Sequence, residues 1–102
     1  MPFDVPFNIL CQSPVSEGMR PEDAVRNTVA LAQAAEDLGY HRFWVAEHHS
    51  DAALASGAPE VLISHIASVT RRIRVGAGGV LLPYCRPFKV AEQFSLLEAL
   101  FP

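Results

Sequence analysis

The chain has 102 residues, half of them apolar, with 8 Lys+Arg against 11 Asp+Glu and a formal net charge of −3. That length suits one small globular domain with a core of its own, and falls well short of the roughly 250 residues that a complete eight-fold β/α barrel takes. A charged fraction of 19% without low-complexity tracts argues against a disordered chain, and scattered basic residues on an acidic total argue against a nucleic-acid binder.

Residues 1–7 lack the basic stretch and apolar core of an export signal. The first apolar run, Phe7-Asn8-Ile9-Leu10-Cys11, reads as a strand, and a polar loop over 12–20 with Pro14 and Gly18 follows it. Pro21 fits the first position of a helix, where Glu22 and Asp23 complement the positive end of the helix dipole. Val25, Val29, Ala32 and Ala35 recur at helical spacing, their small size points to close packing on a sheet, and Gly39 is placed to cap the helix in a left-handed conformation.

The second run, Phe43-Trp44-Val45-Ala46, is continuously apolar, as expected of a parallel strand covered on both faces. Pro59 and Glu60 open a second helix with Leu62, Ile66 and Val69 as its buried stripe and an end near Thr70 or Arg71. The third run, Ile73-Arg74-Val75-Gly76-Ala77, leads through Gly78-Gly79 and an apolar loop to Pro87. A last helix carries Val90, Phe94, Leu97 and Phe101 as an amphipathic stripe and stops at Pro102. The order is β-α-β-α-β-α, so the fold class is α/β: three βα units with parallel strands and right-handed crossovers, in one domain over 1–102. No apolar run approaches the ~20 residues of a membrane helix. Cys11 and Cys85, outside any CxxC spacing, read as free thiols of a cytoplasmic protein.

Ligands of parallel α/β folds bind at the carboxyl ends of the strands, which directs attention to the loops. Glu47-His48-His49 sets a carboxylate and two imidazoles directly after the second run, and imidazole can give or take a proton near neutral pH. From composition alone the histidines read equally as caps of strand or helix ends. A metal site is disfavoured because adjacent side chains of an extended segment diverge. His41, after the Gly39 cap, and His65, inside a helix, read as surface or packing residues. The stretch 76–83 is glycine-rich, which lets a planar ligand approach the backbone or simply permits a tight strand end. It is not a dinucleotide fingerprint, since Leu81 stands where GxGxxG from Gly76 needs its third glycine.

Taken together, four stretches become specific: Arg42-Phe43-Trp44-Val45-Ala46-Glu47-His48-His49, Ala58-Pro59-Glu60-Val61-Leu62, the run from Arg72 through Gly76-Ala77-Gly78-Gly79 to Pro83, and Val90-Ala91-Glu92-Gln93. In order and spacing, over nearly the whole chain, they resemble the N-terminal part of the bacterial luciferase-like flavin monooxygenases. The resemblance implies the first part of a TIM (β/α)8 barrel that binds reduced FMN, or a deazaflavin in related branches. It also implies a reaction of the reduced flavin with O2 that oxygenates a small organic substrate, with a flavin reductase as the supplier of reduced flavin. His48 matches the family's active-site histidine and takes the proton-transfer and peroxide-stabilising role, with Glu47 and His49 in support. Ala77, Gly78 and Gly79 match the cofactor-facing backbone, where the luciferases carry a cis peptide at the position of Gly78-Gly79.

The pattern covers three βα units of eight and lacks the late-strand loops that commonly hold a phosphate in such barrels. With strand order 1-2-3 the helices cover one sheet face and leave the other bare, which predicts a homo-oligomer that buries it; order 2-1-3 instead gives a small doubly wound domain. In luciferase-like dimers the second and third helices meet a partner, which makes Leu62, Ile66, Phe94 and Leu97 contact candidates. The rival to an enzyme is a non-catalytic barrel piece, an oligomeric scaffold or weak flavin binder.

Overall fold

Each of the three α-helices described opens on proline, whose fixed φ suits the first helical position and whose missing N–H has no intrahelical partner there to lose. The computed structural model describes residues 4–102. In chain order these form strand β1 (Asn8–Cys11), helix α1 (Pro21–Asp37), strand β2 (Arg42–Val45), helix α2 (Pro59–Ser68), strand β3 (Arg74–Ala77), a short 3-10 turn (Leu82–Tyr84) and helix α3 (Pro87–Leu100). Gly39 closes α1 at φ 85°, and the amides of Gly39 and Tyr40 reach back to the carbonyls of Glu36 and Ala35.

The strands form one parallel sheet in the order β1-β2-β3, with Leu10, Trp44 and Gly76 in one row and Cys11, Val45 and Ala77 in the next. That order rules out the doubly wound alternative. Because side chains alternate across a strand, Ile9, Cys11, Phe43, Val45, Val75 and Ala77 face the helices, where they pack with Ala32, Ala35, Leu62, Ile63 and Ile66. Phe43, Val45 and Ile66 lose all exposure, each burial stabilising by roughly 1.5–3 kcal/mol.

The opposite face, with Asn8, Leu10, Arg42, Trp44, Arg74 and Gly76, has no helix over it. Leu10 stays 56% exposed and Trp44 is half-buried. The expectation of a β2 covered on both faces is therefore corrected: right-handed crossovers in sequential order deliver every helix to the same side. Trp44 instead lies across its neighbour, so close that a Cβ on Gly76 would sit 2.9 Å from the indole.

Two details of the helices also differ from expectation. α2 ends at Ser68, and Val69, its cap at φ −112°, is 39% exposed, while Ile63 takes the third core position. The α3 stripe of Val90, Phe94, Leu97 and Phe101 is only half-buried. At the opposite ends of the strands from the candidate loops, the Glu36 carboxylate accepts the amides of Arg71, Arg72 and Ile73 at 2.7, 2.6 and 3.0 Å. These bonds, that from Arg72 foremost, hold its carboxyl below the usual carboxylate range and seat the entry to β3 against α1.

Candidate functional site

At the carboxyl ends of the strands the three loops are stitched to one another. After β1 the chain turns at Ser13, a buried residue at φ 51°, whose hydroxyl meets that of Thr28 at 2.7 Å. Ser13 O accepts the amide of Ala55, and Val15 N–H donates to Ala53 O, so the first loop runs beside the second as a short antiparallel bridge. Within the second loop Ser56 Oγ donates to Ala46 O at 2.5 Å, and His48 N–H donates to Ser56 O. The backbone on either side of Glu47 is held at both ends.

In this extended segment residues 47 and 49 point one way and residue 48 the other. Glu47 turns inward, its side chain 3% exposed. His49 follows it, and its Nε2 lies 2.6 Å from Glu47 Oε2. An ionised carboxylate can only accept, so Nε2 carries the hydrogen. The other oxygen, Oε1, accepts the amide of Leu81 at 3.2 Å, and the Tyr84 ring tilts over the imidazole at a centroid distance of 4.5 Å. Two loops, after β2 and after β3, thus meet on one buried carboxylate. His48 is exposed, and its main chain alone is tied down. The structure therefore brings Glu47 and His49 together and sets His48 apart.

Ala77 is half-buried against the helix-side core, which leaves its backbone and not its methyl for a ligand. Gly78 N–H continues the ladder by donating to Val45 O at 2.8 Å, and Leu10 lies against Gly78, where a Cβ would come 2.9 Å from Leu10 Cδ1. Around Gly79 no heavy atom lies within 4 Å of a would-be Cβ. The peptide between Gly78 and Gly79 is trans, as are all those described, so the expected cis bond is not formed. The backbone at Gly79 is open, with Leu10 beside Gly78. Of the arginines, Arg20 is engaged with Asp23 at 3.2 Å, Arg86 stands exposed at the end of the third loop, and Arg42, Arg71, Arg72 and Arg74 line a cavity of about 410 Å³ at the opposite ends of the strands. Ser13, Ser56, Leu81 and Tyr84 carried no signal in the sequence, because their contributions depend on which loop lies beside which.

The family model for luciferase-like monooxygenases matches residues 5–102. Over 98 residues the chain is 64% identical to the uncharacterised protein YwcH of Bacillus subtilis (strain 168), covering 96% of this chain and 29% of that protein. It is 53% identical to the N-acetyl-S-alkylcysteine monooxygenase of the same organism, covering 94% of this chain and 29% of that one. Among solved structures, apo-MsnO8 superposes with a TM-score of 0.93 at 50% identity, over 96% of this chain and 30% of that one. The oxygenating constituent of 3,6-diketocamphane monooxygenase from Pseudomonas putida, itself in complex with FMN, superposes at 0.80 with 23% identity, over 86% of this chain and 24% of its own, a likeness of fold alone. The chain spans about 29% of the length of the curated relatives described.

Proposed function

The chain belongs to the luciferase-like monooxygenase family, and from that premise we propose that it supplies one side of a flavin-dependent oxygenase site acting on a small organic molecule. The observation that carries this reading is the junction at Glu47, where the loop holding both histidines meets the glycine-rich loop. The backbone of Ala77-Gly78-Gly79 takes the edge of the flavin ring, with Leu10 as an apolar neighbour. His48, on the exposed side of its loop, gives and takes the proton; Glu47 and His49 support it from the buried side.

Reduced FMN would supply the two electrons with which one atom of O2 enters the substrate and the other leaves as water; a deazaflavin, the alternative cofactor, would instead exchange hydride in an oxidoreductase of the same superfamily. A flavin reductase of the cytoplasm delivers the reduced cofactor. Strands beyond the three present here complete the barrel and hold the phosphate. The bare sheet face favours a second reading, a homo-oligomer in which copies cover each other's exposed Leu10 and half-buried Trp44 and the chain acts as a non-catalytic scaffold.

The chain contains a single tryptophan, Trp44, close to the proposed ring site, which makes flavin binding directly readable. Titration with FMN and with anaerobically reduced FMN is expected to quench Trp44 saturably. Riboflavin, which lacks the phosphate, should also quench saturably, because the reading places the ring and not the phosphate against the glycine backbone. Absence of saturable quenching by all three, in a folded chain, refutes the flavin site.

A further inference from the structure

We propose that Glu47 is the positioning residue of this site: its one buried carboxylate sets the His49 imidazole and the glycine-rich loop as a single unit, with Tyr84 as the cover of the ring. The inference rests on the functional reading above only for the meaning of the site, and its geometry stands independently.

Each oxygen of Glu47 has a different client. Oε2 takes the Nε2 hydrogen of His49 from its own loop, and Oε1 takes the amide of Leu81 from the loop after β3. A buried carboxylate is costly to desolvate, and a well-packed apolar residue would serve stability as well or better. What an apolar residue could not do is bind two loops through two directed hydrogen bonds. Glu36 shows the contrast: its carboxylate accepts three consecutive amides of one turn and joins no functional loops.

The consequence for His49 is a defined ring. With Nε2–H committed to Glu47, Nδ1 is the ring nitrogen left without a hydrogen-bond partner among the described residues, and it carries the lone pair whenever the imidazole is neutral. That nitrogen lies beside Gly57, where a Cβ would stand 3.9 Å from it, an ordinary contact distance. Tyr84 covers one ring face at an interplanar angle of 37°. The second loop therefore presents one exposed imidazole on His48 and one oriented imidazole on His49, and the orientation of the latter is shared with the backbone two residues beyond Gly79.

The test is NMR on the 102-residue chain with 15N-labelled backbone and histidine. In the unaltered protein His49 is expected as the Nε2–H tautomer, and the Leu81 amide as protected from solvent exchange. Glu47→Gln should mix the His49 tautomers and lower Leu81 protection about tenfold, the loss expected for one hydrogen bond to a charged acceptor. His49→Ala, which removes only a half-exposed ring, should also lower Leu81 protection, because the carboxylate then rehydrates. Tyr84→Phe, which keeps the stack, should leave both signals as they were. Unchanged Leu81 protection in folded His49→Ala overturns the coupling, as does an unchanged His49 ring in Glu47→Gln. Flavin titration of the same samples separates the two claims: coupling without flavin binding removes the functional reading and keeps this one, and binding without coupling does the reverse.

Discussion

Replacing Glu36 by Gln asks whether the entry to β3 is held by charge. In the native chain one carboxylate accepts three consecutive amides, at 2.7, 2.6 and 3.0 Å. Hydrogen bonds to a charged group are worth about 1.5–3 kcal/mol each when water is excluded, but this turn lies at the surface, where water replaces part of what is lost. Gln keeps a neutral acceptor for one or two of the three donors. A net cost of about 1–2 kcal/mol follows, or roughly 4–16 °C in Tm for a domain of this size.

The pH dependence gives the sign. The folded carboxyl titrates below its ordinary value of 4.5, so its contribution is complete above that value and disappears as pH falls through the folded pKa. Urea unfolding followed by Trp44 fluorescence should show the two proteins separated at about pH 7, with the separation shrinking as pH falls through the folded pKa. Titrations elsewhere in the chain are common to both proteins and cancel in the difference. Equal midpoints at neutral pH refute the clamp, and a separation that persists after protonation refutes its electrostatic origin.

Three further outcomes are expected. His48→Ala should slow substrate-dependent O2 consumption, measured with reductase and NADH in an assembled enzyme carrying these residues, while changing the unfolding free energy by no more than about 0.5 kcal/mol because the residue is exposed; an unchanged rate removes His48 from the chemistry. Gly76→Ala should cost about 1–3 kcal/mol in denaturant unfolding and shift the emission of Trp44, since the new methyl would stand 2.9 Å from the indole; a silent substitution would mean that the ring moves freely. Leu10→Glu should dissolve any self-association seen by analytical ultracentrifugation, because it charges a 56% exposed apolar residue of the bare face, next to Trp44; a native chain that sediments as a monomer at all concentrations refutes that face as a self-interface.

The candidate site was partly legible in the chain. Glu47-His48-His49 and Gly78-Gly79 stand out by chemistry and by their places after apolar runs, and both lie in loops at the carboxyl ends of β2 and β3. Their division of labour was not legible. Which of two adjacent histidines meets Glu47 depends on the local chain being extended, and the second client of that carboxylate, the Leu81 amide, comes from 34 positions further along. Tyr84 reads in the sequence as one more apolar loop residue, and becomes a ring cover only when that loop folds over His49.

The elements themselves are local matters. Pro21, Pro59 and Pro87 at the helix starts, the left-handed Gly39 and the stripes of α1 and α3 act within a few residues, so their placement could be read without knowing the fold. Strand order could not. The same βαβ units build a sheet ordered 1-2-3 or 2-1-3, and the choice lies in long-range packing of α1, α2 and α3. Once the order is β1-β2-β3, every helix falls on one side, Trp44 is left on the open face, and the two chemically distinctive loops become neighbours that one buried carboxylate can join.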